Sequence, residues 1–372
     1  MKEGPIIIAG GGIAGLAAAL ALHGRDGIIL EQSPTFEETG AGLQLGPNAV
    51  RALQKLGAWE AVSPYTSSPA EIHIWDGVGG RLLKRLKLGA DFEKRFGAPY
   101  RLALRADLHR GLLAAVHNQP NISLKLGRTL ENFRQGTSGV DASCTTEVFH
   151  GIALIAADGV NSQVRQSLFN NSPPLSSGEV FHRGLIANPE TIDGIAFECV
   201  NLWLCPGGHI VHYPVGPQQH LNLVAVTSAG LVPRATFATC CDKVLRLVKL
   251  LENATIWPAL YVKPLPHWNI NIVVLIGDAA HGTLPYLAQG AAMALEDAAS
   301  LQELLKDTRN VATCFDALSQ ARRKRTARLH FNSLRNGQNY HASGARRVLI
   351  QQAVSLAPSS VLLAGLNWIY SH

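Results

Sequence analysis

The chain predicts an α/β fold in which a parallel-sheet unit is interleaved with a second, mainly antiparallel sheet and closed by C-terminal helices. Apolar runs at residues 5–9, 152–157 and 272–276 each end at a turn built from Gly or Asp, namely Gly10-Gly11-Gly12-Ile13-Ala14-Gly15, Asp158-Gly159 and Gly277-Asp278. Buried parallel strands end in this way where they hand over to a loop that faces a ligand. Residues 176–262 instead alternate Val, Leu and aromatic residues among prolines and glycines, the period-two signature of antiparallel strands. No repeat or low-complexity linker separates the two patterns, so the units are expected to interleave.

In the first run, Ile6-Ile7-Ile8 is stiff at χ1 and apolar on both faces, as an inner strand requires. Gly10 supplies the tight turn, Gly12 allows backbone to approach a pyrophosphate, and Gly15 lets the Ala/Leu-rich helix through His23 pack closely, with Ala14 between them. Free amides at the helix start would face phosphates. The next strand, residues 27–30, ends at Glu31, whose carboxylate can accept hydrogen bonds from both hydroxyls of an adenosine ribose. A 2′-phosphate would be repelled there, and no Arg stands at that strand end to neutralise it. FAD or NAD is therefore favoured over NADP as the tightly held ligand. Residues 5–22 also mimic a secretory signal, being uncharged after Lys2 and ending near Ala19-Leu20-Ala21. Their glycines would weaken an inserted helix, and cleavage would remove the unit that Glu31 completes.

With 372 residues, 47% hydrophobic and 16% charged, the chain is expected to bury a sizeable core as one large or two closely joined globular domains. Cys144, Cys199, Cys205, Cys240, Cys241 and Cys314 lack metal-ligand or C-x-x-C spacing. They read as thiols in a reducing cytoplasm, with no metal site expected. Net charge is +6, much of it in Arg322-Arg323-Lys324-Arg325 with Arg328, Arg335, Arg346 and Arg347 nearby. This reads as a solvated helix face rather than a nucleic-acid site, because no aromatic ladder or nucleic-acid motif accompanies it. Residues 348–372 contain no Asp, Glu, Lys or Arg, but Gln351, Gln352, Pro358, Ser359 and Ser360 interrupt the apolar run. A docked helix pair is expected there rather than an integral membrane span.

Residues 39–48 form a glycine-rich segment, read as a loop that lets backbone approach a ligand, followed by an amphipathic helix over 49–56. Residues 70–96 alternate around Ile72, Ile74 and Trp75, with Gly77, Gly79 and Gly80 marking a hairpin. Strand character resumes at 100–105, and a helix over 107–117 stacks Leu108, Leu112 and Val116 on one face. One helix is expected near 243–251 within the antiparallel region.

These segments resemble the single-component flavoprotein aromatic hydroxylases, most closely the salicylate hydroxylase and 3-hydroxybenzoate 6-hydroxylase group, over nearly the whole chain. The resemblance rests on the first glycine turn, Gly40-Ala41-Gly42 through Asn48, Arg105-Ala106-Asp107-Leu108-His109 and Asp158-Gly159-Val160-Asn161-Ser162 with Arg165. It continues through Gly277-Asp278-Ala279-Ala280-His281, the run from Leu284 to Ala291, and Glu296-Asp297-Ala298. It implies a Rossmann-like FAD-binding domain (1–69, 97–175 and 265–335), a substrate-binding sheet domain (70–96 and 176–264) and a C-terminal helical segment (336–372). Asp278 would lie by the ribityl and pyrophosphate part of FAD, Arg105 would contact FAD, backbone at Leu130 would border the adenine, and Asp158-Gly159 would serve both FAD and a transient nicotinamide. Read alone, Asp158 is equally an ordinary strand-end turn or N-cap, and Arg105 a surface cation. A helix starting near Gly290 and Ala291 would aim free amides at the isoalloxazine and stabilise the reduced, anionic ring, with Pro285 walling it. Gly282 departs from the Pro usual in relatives.

The implied activity is an FAD-dependent monooxygenase using NADH or NADPH and O2 to hydroxylate a small phenolic or N-heteroaromatic acid through a flavin C(4a)-hydroperoxide. The candidate base lies in Gly207-Gly208-His209-Ile210-Val211-His212-Tyr213-Pro214. In a strand, His209, Val211 and Tyr213 share one face, and His209 with Tyr213 is the expected phenol-binding pair; His212 is the second choice. Gln289 is a further hydrogen-bonding candidate. The alternatives are a hydroxylase of a quinone or secondary-metabolite intermediate, and a non-catalytic FAD or nicotinamide-binding protein. A cytoplasmic location and a homodimer are the companion expectations.

Overall fold

The computed structural model describes residues 4–36, 41–145, 147–169, 172–187, 198–307 and 310–371. One sheet has six strands in the order Asn269–Ile270, Val273–Leu275, Ala153–Ala156, Ile6–Ala9, Gly27–Leu30, Ile122–Lys125. All pairs are parallel except the short Asn269–Ile270 edge. Ile6, Ile7, Ile8, Leu154 and Ile155 are fully buried, which explains why their strands are apolar on both faces. Helix Ile13–Ala21 packs on helices Arg105–His117 and Gly290–Asp307 beside this sheet.

The second sheet has seven strands in the order Thr255–Tyr261, Leu175–Ile186, His220–Ser228, Gly208–Val215, Val200–Cys205, Glu71–Asp76, Leu82–Lys87. Only the Val200–Cys205 and Glu71–Asp76 pair is parallel. The excursion at residues 71–87 is thus a hairpin that extends the later sheet, and the two chain regions form one layer. Phe237, Val244, Leu247 and Val248 from helix Asp242–Lys249 and its approach seal one face against Trp203, Ile210, Leu223 and Ala225. The opposite face turns towards the first unit.

Two readings of the sequence require correction. Residues 42–45 are not loop: Gly42–Leu45 is a strand paired antiparallel with Arg101–Leu104. Its glycine content masked a pairing partner that lies far along the chain. Thr39 and Gly40 of the same segment fall outside the described residues. The run Arg322-Arg323-Lys324-Arg325 is not simply a solvated face, since the Arg322 and Arg325 side chains are only 7% and 8% exposed. Arg322 donates from Nε to Asp297 Oδ1 at 2.8 Å and from Nη2 to Glu296 Oε2 at 2.6 Å. Arg325 bonds both Glu296 oxygens, and its guanidinium also donates to the Trp368 and Ile369 carbonyls. Two carboxylates buried on helix Gly290–Asp307 demand these cations.

The 30-residue helix Val311–Tyr340 leads into Gly344–Leu356, Ser359–Gly365 and Asn367–Tyr370. Tyr370 packs edge-on against Phe96, Phe92 and Tyr100. Among the described residues no single helix is long and apolar enough to cross a membrane; Gly344–Leu356 and Ser359–Gly365 form a pair bent by 106° that meets the length and composition together.

Burial opposes ionisation of Asp297 and Glu296, yet His281 and Arg322 hold Asp297, and Arg325 and Arg322 hold Glu296, below the usual carboxylate range. Their stabilising contribution is therefore complete at neutral pH and lost as pH falls through those lowered values. Arg322→Ala leaves two buried carboxylates short of a partner. It is expected to cost about 3–5 kcal/mol in urea unfolding at pH 7, with the deficit shrinking below about pH 4 as the carboxylates protonate.

Candidate active site

The three turns meet because there is no room for side chains between them. Gly10 has φ +103°, and a Cβ there would lie 2.4 Å from the Ala157 carbonyl oxygen; a Cβ at Gly15 would lie 1.8 Å from the Gly10 oxygen. At Gly277 it would fall 2.7 Å from the Ala14 Cβ. Backbone bonds from Gly10 N to Leu30 O and from Ala157 N to Ala9 O, both 2.8 Å, lock the strand ends together. Arg165, fully buried, clamps two of the turns by donating to the Val160 carbonyl at 2.6 Å and the Ala279 carbonyl at 3.0 Å.

Gly12 is different. Its φ of −74° and ψ of −171° suit any residue, and a Cβ would approach only Arg105 Nη2, at 3.9 Å. The missing side chain leaves open space in front of the helix Ile13–Ala21, whose first turn has neither a side-chain cap nor an acid. That is a cradle for an anion. Glu31 sits behind it, accepting from Gly11 N at 2.7 Å and Ser33 N at 2.8 Å.

A cavity of about 400 Å³ opens in front of these turns. Among the residues singled out from sequence, Gly12, Ala14, Ala41, Gly42, Arg105, Gly159, Asp278, Gly290 and Ala291 line it from the parallel unit and its helices, with Pro285 beside them. His209 and Tyr213 line it from the large sheet. Gly10, Gly15 and Asp158 build the turns rather than the wall, while Glu31 and Leu130 stand outside it, Leu130 at the start of strand Leu130–Gln135. Asp158 Oδ2 accepts from Val164 N at 3.3 Å while Oδ1 is buried without a partner, and burial raises its pKa. Gln289 is buried outside the wall, its Oε1 accepting from Asn48 Nδ2 at 2.8 Å.

Register fixes what the sheet presents. Phe181, Val226 and His209 form one row across three strands, Arg183, Val224 and Val211 the next, and Asn222 with Tyr213 a third. All line the cavity. His212 points the other way, fully buried, with neither ring nitrogen bonded, and burial pushes its pKa down to about 3. His209 is also driven well below the ordinary imidazole range, by burial first and then by His341, so it is a neutral acceptor near pH 7. Burial raises the Tyr213 hydroxyl above its usual range and keeps it a donor.

Three residues were not legible as site residues. Arg183 lines the cavity with its Nε buried and unbonded. Its guanidinium carbon lies 5.6 Å from the Phe181 ring, and no carboxylate pairs with it among the described residues. Glu179 and His341 lie behind His209. Only the alternation of Glu179, Phe181 and Arg183 along one strand could have suggested that two of the three share a face.

The first half of the chain, residues 3–174, matches the family model described as FAD binding domain. The chain is 32% identical to the 3-hydroxybenzoate 6-hydroxylase of Polaromonas naphthalenivorans (strain CJ2), covering 98% of this chain and 95% of that one. It is 31% identical to the 6-hydroxynicotinate 3-monooxygenase of Bordetella bronchiseptica, covering 90% and 93%. Its fold matches that of Klebsiella pneumoniae HpxO complexed with FAD and uric acid, with a TM-score of 0.88 at 22% identity over 98% of this chain and 96% of that one. With relatives of this identity matched over nearly their full length, the chain belongs to the FAD-dependent aromatic hydroxylases.

Proposed function

We propose that the chain is an NAD(P)H-dependent FAD monooxygenase that hydroxylates a small aromatic acid bearing a ring hydroxyl. The observation that carries this is the cavity's two-sided wall, with a glycine cradle and free helix amides on one side and a His, Tyr and Arg face on the other. Bound FAD supplies reduction by a nicotinamide and activation of O2. The chain's own residues do the rest.

Gly12 and the amides at the start of helix Ile13–Ala21 hold the pyrophosphate, Asp278 and Arg105 flank the chain that follows it, and Gly159 borders the same space. Glu31 retains a free lone pair on each oxygen for the ribose hydroxyls, with Leu130 at the adenine end. The start of helix Gly290–Asp307 presents amides to the isoalloxazine, where they stabilise negative charge without a lysine. Residues 1–69, 97–175 and 265–335 thus serve the cofactor, and 70–96 with 176–264 the substrate.

His209 accepts the phenol proton, Tyr213 donates to the same oxygen, and Arg183 receives the carboxylate. An unpaired guanidinium in a half-closed cavity calls for an anion, and a planar carboxylate matches its fork. Pro285 walls the ring, and Phe181, Val211, Val224 and Val226 exclude water so that these contacts act in a low-dielectric space. The substrates for which two relatives are named, 3-hydroxybenzoate and 6-hydroxynicotinate, both combine a carboxylate with a ring hydroxyl.

Gly12→Ala is expected to fold normally, because its Cβ meets nothing closer than 3.9 Å, yet to purify with little or no FAD. Flavin absorbance against a circular-dichroism melt checks both halves; a variant retaining full FAD would remove the cradle from the assignment.

A panel of hydroxylated aromatic acids should stimulate NADH or NADPH oxidation with product formed in proportion. Arg183→Met should raise KM for the best acid by roughly 10- to 100-fold while leaving the matching neutral phenol almost unchanged. His209→Ala should retain FAD and lose about 10²–10⁴-fold in hydroxylation. Tight FAD binding with no turnover of any acid, phenol or quinone would instead indicate a binding protein.

A further inference from the structure

His209 does not end at the cavity wall. Its Nδ1 lies 2.8 Å from Nε2 of His341, and the two rings meet edge to edge, their centroids 5.0 Å apart and their planes inclined by 23°. His341 Nδ1 in turn lies 2.8 Å from Glu179 Oε1. The other Glu179 oxygen accepts from the Tyr286 hydroxyl and, at 3.1 Å, from Ser177. Strand Gly208–Val215, the end of helix Val311–Tyr340 and strand Leu175–Ile186 each supply one member. His209 is 4% exposed, whereas the His341 and Glu179 side chains are 14% and 21% exposed. The line therefore runs from a buried imidazole at the cavity wall towards solvent.

The bonding pattern determines where each proton sits. Burial opposes ionisation of Glu179, but hydrogen bonds from His341 and Tyr286 outweigh it and hold the carboxyl below its usual range. An ionised carboxylate only accepts. With His341 uncharged, its single proton lies on Nδ1 against Glu179, its Nε2 accepts, and His209 donates from Nδ1. That leaves the lone pair of His209 on Nε2, the ring nitrogen with no protein partner among the described residues, at a residue that lines the cavity. A carboxylate fixing an imidazole through its far nitrogen is a familiar way to set a tautomer; here two imidazoles stand in series. The other titratable groups packed on His209 are Tyr286 and Tyr340, with ring centroids at 5.4 and 5.3 Å. Both are pushed above the ordinary phenol range, each first by burial, and neither competes for the proton near neutrality.

We propose that Glu179, His341 and His209 form a proton relay that sets the His209 tautomer and carries a phenolic substrate's proton from the cavity to the surface. The proposal rests on the assignment of the phenol to His209. The phenol O–H proton passes to His209 Nε2, leaving a phenolate. The Nδ1 proton of His209 moves to Nε2 of His341, so the imidazolium forms beside Glu179 instead of inside the cavity, and His341 then releases its Nδ1 proton to Glu179 or water. One phenol becomes one phenolate, and one proton leaves. Reprotonation of the product hydroxyl along the same line restores the resting tautomers. His341 and Glu179 are thus positioning residues, acting through His209.

The experiment uses the FAD-loaded protein and a nitrophenol, whose phenolate is read by difference absorbance without any turnover. Wild type should bind it as phenolate at a pH below the free ligand's pKa. Glu179→Gln and His341→Phe should each lower the ratio of bound phenolate to bound phenol roughly tenfold at a fixed pH, a shift of about one unit in the bound ligand's pKa. Glu179→Asp should recover most of it, and binding of benzoate, which has no phenol, should change little in any variant. Should Glu179→Gln ionise the bound nitrophenol to the same extent and with the same pH profile as wild type, the relay is wrong, and His341 merely ties a helix end to the sheet. If His209→Ala also leaves that ionisation unchanged, the fault lies with the assignment of the phenol to His209.

Discussion

The whole molecule depends on backbone touching backbone at the ends of three parallel strands. Gly10 stands against Ala157, Gly15 against Gly10, and Gly277 against Ala14, with separations that admit no additional carbon. Because these turns are stripped of side chains where they meet, the amides and carboxylates that do project from them are forced outward into one space. Gly12, Gly159 and Asp278 reach the cavity for this reason. The interior supplies the opposing pressure: Ile6, Ile7, Ile8, Leu154 and Ile155 are wholly buried, and each such side chain stabilises the fold by about 1.5–3 kcal/mol. A widened contact at Gly15 would give back part of that packing and displace the helix whose start lines the cavity.

A second constraint lies beneath the same wall. Helix Gly290–Asp307 starts at the cavity and carries Glu296 and Asp297 into the core. Asp297 accepts from the Gly277 amide at 3.1 Å and His281 at 2.5 Å, so the same carboxylate steadies the third strand turn. Arg322 and Arg325 neutralise the pair, and Arg325 continues to the carbonyls of Trp368 and Ile369. The C-terminal segment is thereby tied, through one buried ionic network, to the helix that starts at the cavity. Such networks contribute little net stability but penalise any rearrangement that leaves a charge unpaired. This favours a single registration of helix against turn.

The parallel strands, their turns and the His209, Val211, Tyr213 face were legible because each follows from a local pattern: an apolar run, a glycine, an alternation of two. What escaped notice lacked a local pattern. Gly42–Leu45 pairs with Arg101–Leu104, so its strand character comes from a partner that no short window contains. Arg322 and Arg325 look like any charged helix face until Glu296 and Asp297 are seen beneath them. Arg183 reads as one cation in a β-strand, and His341 as a lone His after a long helix; only the sheet register and the helix end bring them to the cavity and to His209. Gln289, readable as a site residue from its neighbours, is turned to Asn48 instead.

The electrostatics of the cavity follow from these placements and limit what it can hold. His209 and Tyr213 are neutral near pH 7, both because burial penalises their charged forms, while Arg183 remains cationic despite burial, since guanidinium does not deprotonate in proteins. A neutral phenol forgoes the carboxylate contact and gives no counter-charge to that cation. A monoanionic hydroxy acid satisfies it. In the proposed roles, a ring hydroxyl that gave up its proton would place the second negative charge between a hydroxyl donor and an imidazole that has just gained a proton, within the field of the same guanidinium. Moving that proton onward changes the balance again: a dianion left alone with one cation is costlier than one accompanied by an imidazolium. The group that removes the proton therefore governs how long the phenolate persists, and this is why the residues behind His209 bear on the chemistry in front of it.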